Sequence, residues 1–194
     1  MTRPHSTDRS LHRFCPFCGS ALQQRQVSGR LRRVCPACGH VQYRSPVVGV
    51  AAVIEEAETA AVLGGSAIEA ATGHPVAPAE RRVLLGRRSA SYAGLYCLPC
   101  GYVEFDEEIR EALVRETEEE TGLIVEPGAV LAVHSNFHDP DHQSVGVWFR
   151  AQPAGGILRP GDDIDALVFV PVPEPGVPLA FPTDARVLAA LART

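Results

Sequence analysis

The stretch Gly101–Leu123, GYVEFDEEIREALVRETEEETGL, constrains the fold of this chain more than any other, because it packs nine carboxylates into one helical pattern. The acids are Glu104, Asp106, Glu107, Glu108, Glu111, Glu116, Glu118, Glu119 and Glu120. The pattern predicts a helix that starts near Asp106 as N-cap and ends at Gly122 as the C′ glycine. At 100° per residue, Ile109, Ala112 and Leu113 share a face with Glu116, Glu119 and Glu120, while Glu118 lies opposite. The face that packs on a core therefore carries three acids toward the protein. Arg115 sits beside it, four residues from both Glu111 and Glu119. Like charges at i, i+3 and i+4 repel, and desolvating them costs several kcal/mol per ion. A divalent cation relieves both penalties, and an all-oxygen donor set selects Mg²⁺ or Mn²⁺. The competing reading is a solvated acidic surface, which the shared face weighs against.

A second constraint lies upstream. Residues 14–40 read FCPFCGSALQQRQVSGRLRRVCPACGH, with Cys15, Cys18, Cys35 and Cys38 spaced C-x2-C-x16-C-x2-C. Two residues between thiolates let a tight turn aim both sulfurs at one ion, so two such knuckles around a short hairpin make a closed Zn²⁺ site. The segment has too few apolar residues for a core of its own, and metal binding would supply its folding energy. Disulfides are the alternative, which a cytoplasmic setting disfavours. His40 is left out of the shell because four cysteines fill it.

The 194 residues suffice for one globular domain and a small appendage, with 45% hydrophobic and 21% charged content. No apolar run approaches the ~20 residues of a membrane span. The polar start MTRPHSTDRSLHR is not a secretory signal, so a cytoplasmic location without membrane partners is expected. All 18 basic residues are arginine, and eight of them fall in residues 1–44 against Asp8 alone. A basic N-terminal module is thus joined to an acidic body. The expected divisions are a flexible N-terminus over 1–13, a zinc ribbon over 14–44 and a catalytic domain over 45–194. Within the last, VVGVAAVI from Val47 predicts a strand buried on both faces, and residues 55–80 a long mobile insertion. Further strands are expected at RRVLLGRR, 129–135, 144–151 and 166–172. A closing helix is expected from Thr183, as N-cap with Asp184 as a first-turn acid, to about Arg193. Strands alternating with two helices indicate an α/β body with a mixed sheet.

Gly101, Glu107, Arg115, Glu116, Glu119, Glu120 and Gly122 fit the Nudix box, G-x5-E-x7-R-E-U-x-E-E-x-G-U, at every fixed position. Leu123 supplies the final aliphatic, and Thr117 stands where an aliphatic is usual. The chain therefore resembles the Nudix hydrolases, and the ribbon followed by a strand resembles NADH pyrophosphatases and smaller ribbon-bearing members. That resemblance implies an α/β/α sandwich and Mg²⁺-assisted hydrolysis of a nucleoside diphosphate linked to another group. It implies Glu116 and Glu120 as chief metal ligands, Glu119 as ligand or base, Glu107 as an outer ligand, and Arg115 as the residue that orients a glutamate. A carbonyl at Cys100 or Gly101 would complete the shell. An extra acid after the box is expected at Asp165, with Asp162 or Asp163 as substitutes.

Cys97 and Cys100 form a third C-x2-C, and a cysteine at 100 departs from the Gly or Ala common there; two small buried residues are the preferred reading over a redox switch. His134, His138 and His142 are expected on a loop at the edge of the site. Where NADH pyrophosphatases carry S-Q-P-W, this chain reads HSNFHDP, so ADP-ribose or FAD is expected as substrate rather than NADH or NAD-capped RNA. A homodimer is also expected. The rival from another class is a nucleotide- or RNA-sensing protein, based on the basic ribbon, although Phe14, Phe17 and Tyr43 make a thin stacking platform.

Overall fold

The computed structural model describes residues 12–75, 80–139 and 142–193. It divides into two compact units, one comprising the residues up to Pro46 with Asp139–His142, the other Val47–His138 with Gln143–Thr194. The expected flexible N-terminus falls mostly outside the described residues.

In the first unit, β1 (Gln23–Val27), β2 (Arg30–Val34) and β3 (Val41–Gln42) form an antiparallel sheet in that order. Ser28 and Gly29, both at positive φ, make the two-residue turn between β1 and β2. The two knuckles are alike: Gly19 donates to the Cys15 carbonyl and Gly39 to the Cys35 carbonyl. Both glycines are at positive φ, which is why a glycine closes each CPxCG turn.

The second unit is built on two sheets. One has the order β7-β4-β9-β8, from β4 (Val47–Val53), β7 (Cys100–Tyr102), β8 (Leu123–Asn136) and β9 (Ser144–Gly156). Here β4 and β9 are parallel and the outer pairs antiparallel. The other is antiparallel, β10-β5-β6, from β5 (Arg82–Arg88), β6 (Tyr96–Cys97) and β10 (Ile164–Pro171). The strand alternation feeds two cores. Val50, Ala52, Ile54, Leu84 and Phe149 join Ala112 and Leu113 of α3 (Ile109–Thr121) on one side. Ala51, Val53, Val83, Leu85 and Trp148 join Val187, Leu188 and Leu191 of α4 (Pro182–Leu191) on the other. Sheets buried on both faces between helices are the expected mixed-sheet α/β sandwich.

Four local expectations need correction. Residues 55–80, expected as a mobile insertion, contain α1 (Glu56–Leu63) and α2 (Gly65–Thr72); Ile68 is fully buried in the α3-side core, and residues 76–79 lie outside the described residues. Helix α3 is capped by Glu108, whose carboxylate accepts from the Arg110 amide, whereas Asp106 is at φ +65°, outside the extended region an N-cap needs. The N-cap of α4 is Phe181 with Pro182 next, so Thr183 lies inside the helix, while Asp184 is the expected first-turn acid; both are buried. Strands β8 and β9 are several residues longer than expected, because Gly122 at φ +69° turns the chain directly from α3 into β8.

Candidate active site

Strands β6 and β7 belong to different sheets, and the two residues between them, Leu98 and Pro99, cross from one to the other. Proline has no N–H, so the amides available on this crossover are those of Leu98 and Cys100. Both are held by buried carboxylates. Glu120 of α3 accepts from the Cys100 amide at 2.7 Å, and Asp184 of α4 accepts from the Leu98 amide at 3.2 Å. Asp184 also accepts from Trp148 Nε1 at 3.1 Å, and the Pro99 carbonyl accepts from Ala52 at 2.8 Å. Burial pushes the Glu120 carboxyl well above the usual range and that of Asp184 up to about 6, with the Leu98 and Trp148 donors opposing the shift of Asp184.

The remaining acids gather on Arg115. Its guanidinium donates to Glu107 at 2.7 and 2.9 Å, to Glu116 at 2.8 Å, to Glu119 at 3.1 Å and to the Tyr102 carbonyl at 3.1 Å. Its partner across the turn is Glu107, not Glu111. Hydrogen bonds from Arg115 bring the Glu107 carboxyl down to about 2. Burial raises that of Glu116, with Arg115 opposing. The helix face that stays buried runs through Ala112, Leu113, Thr117, Glu120 and Thr121, so Glu120 points inward, Glu116 is mostly covered and Glu119 is half exposed. Glu118 faces solvent. Gly101 meets this cluster directly: a Cβ there would lie 2.0 Å from the Glu116 carboxylate, so only glycine fits. A groove of about 800 Å³ beside α3 is lined by Arg110, Val114, Arg115, Glu119, Pro127 and Arg159 among others.

The residues after β9 divide. Asp165 is paired with Arg87 at 2.6 Å on the exposed side of β10. The charges of Asp162 and Asp163 instead act on Glu116 and Glu120 respectively. Arg88 donates to Asp163 and lies 3.7 Å from Cys97 Sγ. The thiols of Cys97 and Cys100 hydrogen-bond each other, which lowers Cys97 and raises Cys100, and both are packed among apolar neighbours. Of the three histidines, His134 rests against Trp148, His138 belongs to an aromatic cluster with Tyr92 and Phe181, and His142 pairs with Asp139. The inward turn of Asp184 and the position of Arg88 carry no motif, and sequence reasoning missed both.

Two donor sets fit metals of different kinds. Among the described residues, only Cys15, Cys18, Cys35 and Cys38 bring three or more ligand atoms within 4.8 Å of one another. Their sulfurs stand 3.4–3.7 Å apart in the pairs that touch, close to the ~3.8 Å edge of a tetrahedron with Zn–S of about 2.3 Å. Hydrogen bonding from Ser20 brings the Cys18 thiol down to about 6, whereas Cys38, despite its His40 backbone hydrogen bond, is pushed up to about 12 by Cys35 and Cys15. The carboxylates do not close on one point. They form an all-oxygen set partly neutralised by Arg115, and a buried Glu120 without a full counter-charge suits a hard divalent cation.

Comparison with known proteins places these features. The model described as NUDIX domain matches residues 68–191, and that described as Nudix N-terminal, a zinc ribbon, matches residues 13–44. An ADP-ribose pyrophosphatase of Methanocaldococcus jannaschii is 39% identical over 82 residues, 42% of this chain and 48% of that protein. The 8-oxo-dGDP phosphatase NUDT18 of Homo sapiens is 41% identical over 73 residues, 38% of this chain and 21% of that protein. The match thus spans about half of the first relative's length and a fifth of the second's. The crystal structure of a NUDIX hydrolase from Nitrosomonas europaea superposes with a TM-score of 0.66 at 26% identity, covering 91% of this chain and 88% of that one. No helix among the described residues is long and apolar enough to cross a membrane.

Proposed function

The chain belongs to the Nudix family, and from that premise we propose that it is a divalent-cation-dependent pyrophosphohydrolase that cleaves the diphosphate of ADP-ribose. The observation that carries this reading is the arrangement around the β6–β7 crossover. A buried carboxylate, Glu120, pins the backbone at Cys100, and Arg115 gathers Glu107, Glu116 and Glu119 beside Gly101. A non-catalytic surface helix has no reason to bury Glu120 or to leave room for Glu116 by a glycine.

Glu116 and Glu120 would hold the cation, with Glu119 and Glu107 contributing ligands and the backbone at Cys100 or Gly101 completing the shell. A bound Mg²⁺ or Mn²⁺ supplies neutralisation of the charge that gathers on the leaving bridge oxygen, and a water of lowered pKa. Arg115 keeps the mutually repelling carboxylates converged before substrate arrives, so little reorganisation is left for the reaction. Glu119, half exposed at the rim, can accept the proton of the attacking water. Among the acids after β9, Asp162 and Asp163 are favoured over Asp165 as further ligands, since their charges act on Glu116 and Glu120 while Asp165 lies on the exposed side of β10. The ribbon cysteines would hold a structural Zn²⁺.

The name of the Methanocaldococcus relative supports ADP-ribose, and that of NUDT18 makes 8-oxo-dGDP the competing substrate. The deciding assay follows hydrolysis products of ADP-ribose, FAD, NADH, NAD-capped RNA, 8-oxo-dGDP and a nucleoside triphosphate with Mg²⁺ or Mn²⁺. Preference for ADP-ribose, abolished in both Glu116→Gln and Glu120→Gln, is expected. Binding of nucleotide or RNA with no turnover of any substrate would overturn the hydrolase reading in favour of a sensor.

A further inference from the structure

The last carbonyls of α3 and its C-cap are taken by the stretch of chain that follows β9. The Ile157 amide donates to the Gly122 carbonyl at 3.0 Å, Arg159 to Thr121 at 2.9 Å and Gly161 to Glu120 at 3.1 Å. Alternate amides of one stretch thus meet successive carbonyls that the helix leaves open. The approach is closest at Gly161, where a Cβ would lie 2.4 Å from the Glu119 carbonyl oxygen. That oxygen is backbone and cannot swing away, so a side chain at 161 would lift the stretch off the helix.

The chain turns immediately after this anchor. The Ile164 amide donates back to the Gly161 carbonyl at 3.0 Å, with Asp162 and Asp163 at the centre of the turn. Of the two, only Asp162 is at positive φ, +48°, a position that glycine favours. An acid held there in place of glycine points to a use for its carboxylate. The turn is fixed on its other flank as well. The Asp163 carbonyl accepts from the Ser89 amide at 2.7 Å and from Ser89 Oγ at 2.8 Å, just past the end of β5. Arg88 donates to the Asp163 carboxylate, and the charges of the two acids act on Glu116 and Glu120.

We propose that Gly161 is a positioning residue for the cation site, docking the Asp162–Asp163 turn on the end of α3 with Ser89 as the second anchor, an inference that rests on the divalent-cation reading above. The physical need is plain. Carboxylates on a free loop tip would retreat from Glu116 and Glu120, because like charges repel. The hydrogen bonds to the end of α3 and to Ser89 oppose that retreat. They tie the turn to the backbone of the helix that bears the glutamates, so the two sets of acids stay converged before a cation arrives. Gly161 offers no carboxylate of its own. It acts only through the two acids that follow it.

The test measures the Mn²⁺ affinity of the full chain with zinc, reading free Mn²⁺ by electron paramagnetic resonance. Gly161→Ala is expected to weaken Mn²⁺ binding by about tenfold or more, the usual cost of disturbing a group that orients a metal ligand. Ser89→Ala removes one hydrogen bond at the exposed second anchor and should weaken binding by a smaller factor. Gly155→Ala, whose Cβ meets no atom within 4 Å, should bind as the wild type does. In an Asp162→Asn, Asp163→Asn background, Gly161→Ala should cost nothing further, since nothing is left to position. A purely structural role would give the same loss in both backgrounds, and that result overturns the proposal. Wild-type affinity in a folded Gly161→Ala protein, or in Ser89→Ala where Gly161→Ala does not fold, also overturns it. Loss of Mn²⁺ binding in Glu120→Gln would then leave the hydrolase reading standing. No Mn²⁺ binding by the wild type overturns both.

Discussion

Glu120 of α3 accepts a 2.7 Å hydrogen bond from the Cys100 amide while being almost wholly buried, so the helix that bears the acids and the crossover that faces them are one mechanical unit. Glu120→Gln retains an acceptor for that amide but loses the charge. The variant is expected to melt within a few degrees of the wild type and to lose about 10²- to 10³-fold in kcat. Thermal melts and initial rates on one preparation decide it; full activity would show that Glu120 is only a backbone clamp.

Gly101→Ala places a methyl group 2.0 Å from the Glu116 carboxylate. Because the clash falls on a ligand rather than on the core, activity should drop by about 10²-fold or more while secondary structure by circular dichroism is retained. An active Gly101→Ala enzyme would mean that Glu116 can move without cost to catalysis.

Asp184 gives a pH signature. Its carboxyl is raised to about 6 from an unfolded value near 4, so the stability due to its protonated form is complete below about pH 4 and is lost as pH rises through about 6. Asp184→Asn cannot ionise. Between pH 4 and 6 the wild type should lose up to about 3 kcal/mol relative to this variant, since one pKa unit is about 1.4 kcal/mol. Urea unfolding across that range tests it, and parallel curves for the two proteins would sink the assignment.

Thr117 is buried in α3, and its hydroxyl has no hydrogen-bond partner among the described residues. Thr117→Val removes an unsatisfied buried group at nearly constant shape. A gain of about 1 kcal/mol is expected, read as a rise of a few degrees in Tm. A loss would reveal a partner for the hydroxyl.

Among the described residues, the apolar side chains that the ribbon unit buries are Cys15, Val34 and Cys35 alone. Release of one Zn²⁺ per chain by a thiol-reactive mercurial should collapse amide dispersion for residues 12–44 and leave the resonances of the β4 and β9 core in place. Retained ribbon dispersion after zinc release would overturn the metal-dependent account.

The sequence by itself determined the parts that spacing controls. Two C-x2-C pairs with Pro and Gly in the knuckles require a particular local turn, and the glutamates of α3 with Gly101 and Gly122 specify a helix between two constrained backbone positions. Such features are local in the chain, so periodicity and motif expose them. It also marked the continuous apolar run VVGVAAVI as a strand buried on both faces, and Val50 and Ala51 do lie in different cores. Tertiary structure alone decided where the unmatched polar groups go. Asp184 reads as an ordinary first-turn acid until Trp148 and Leu98, far away in sequence, present their N–H groups to it. Asp165 pairs with Arg87 on the neighbouring strand, a contact that no local pattern announces. Tyr92, His138 and Phe181 are unremarkable on three separate loops until the sandwich brings those loops to one place. The physical reason is common to all three cases. A buried or paired polar group, or a stacked ring, takes its energy from partners distant in sequence, and the sheet order that joins them is set by the burial of both cores rather than by any local preference.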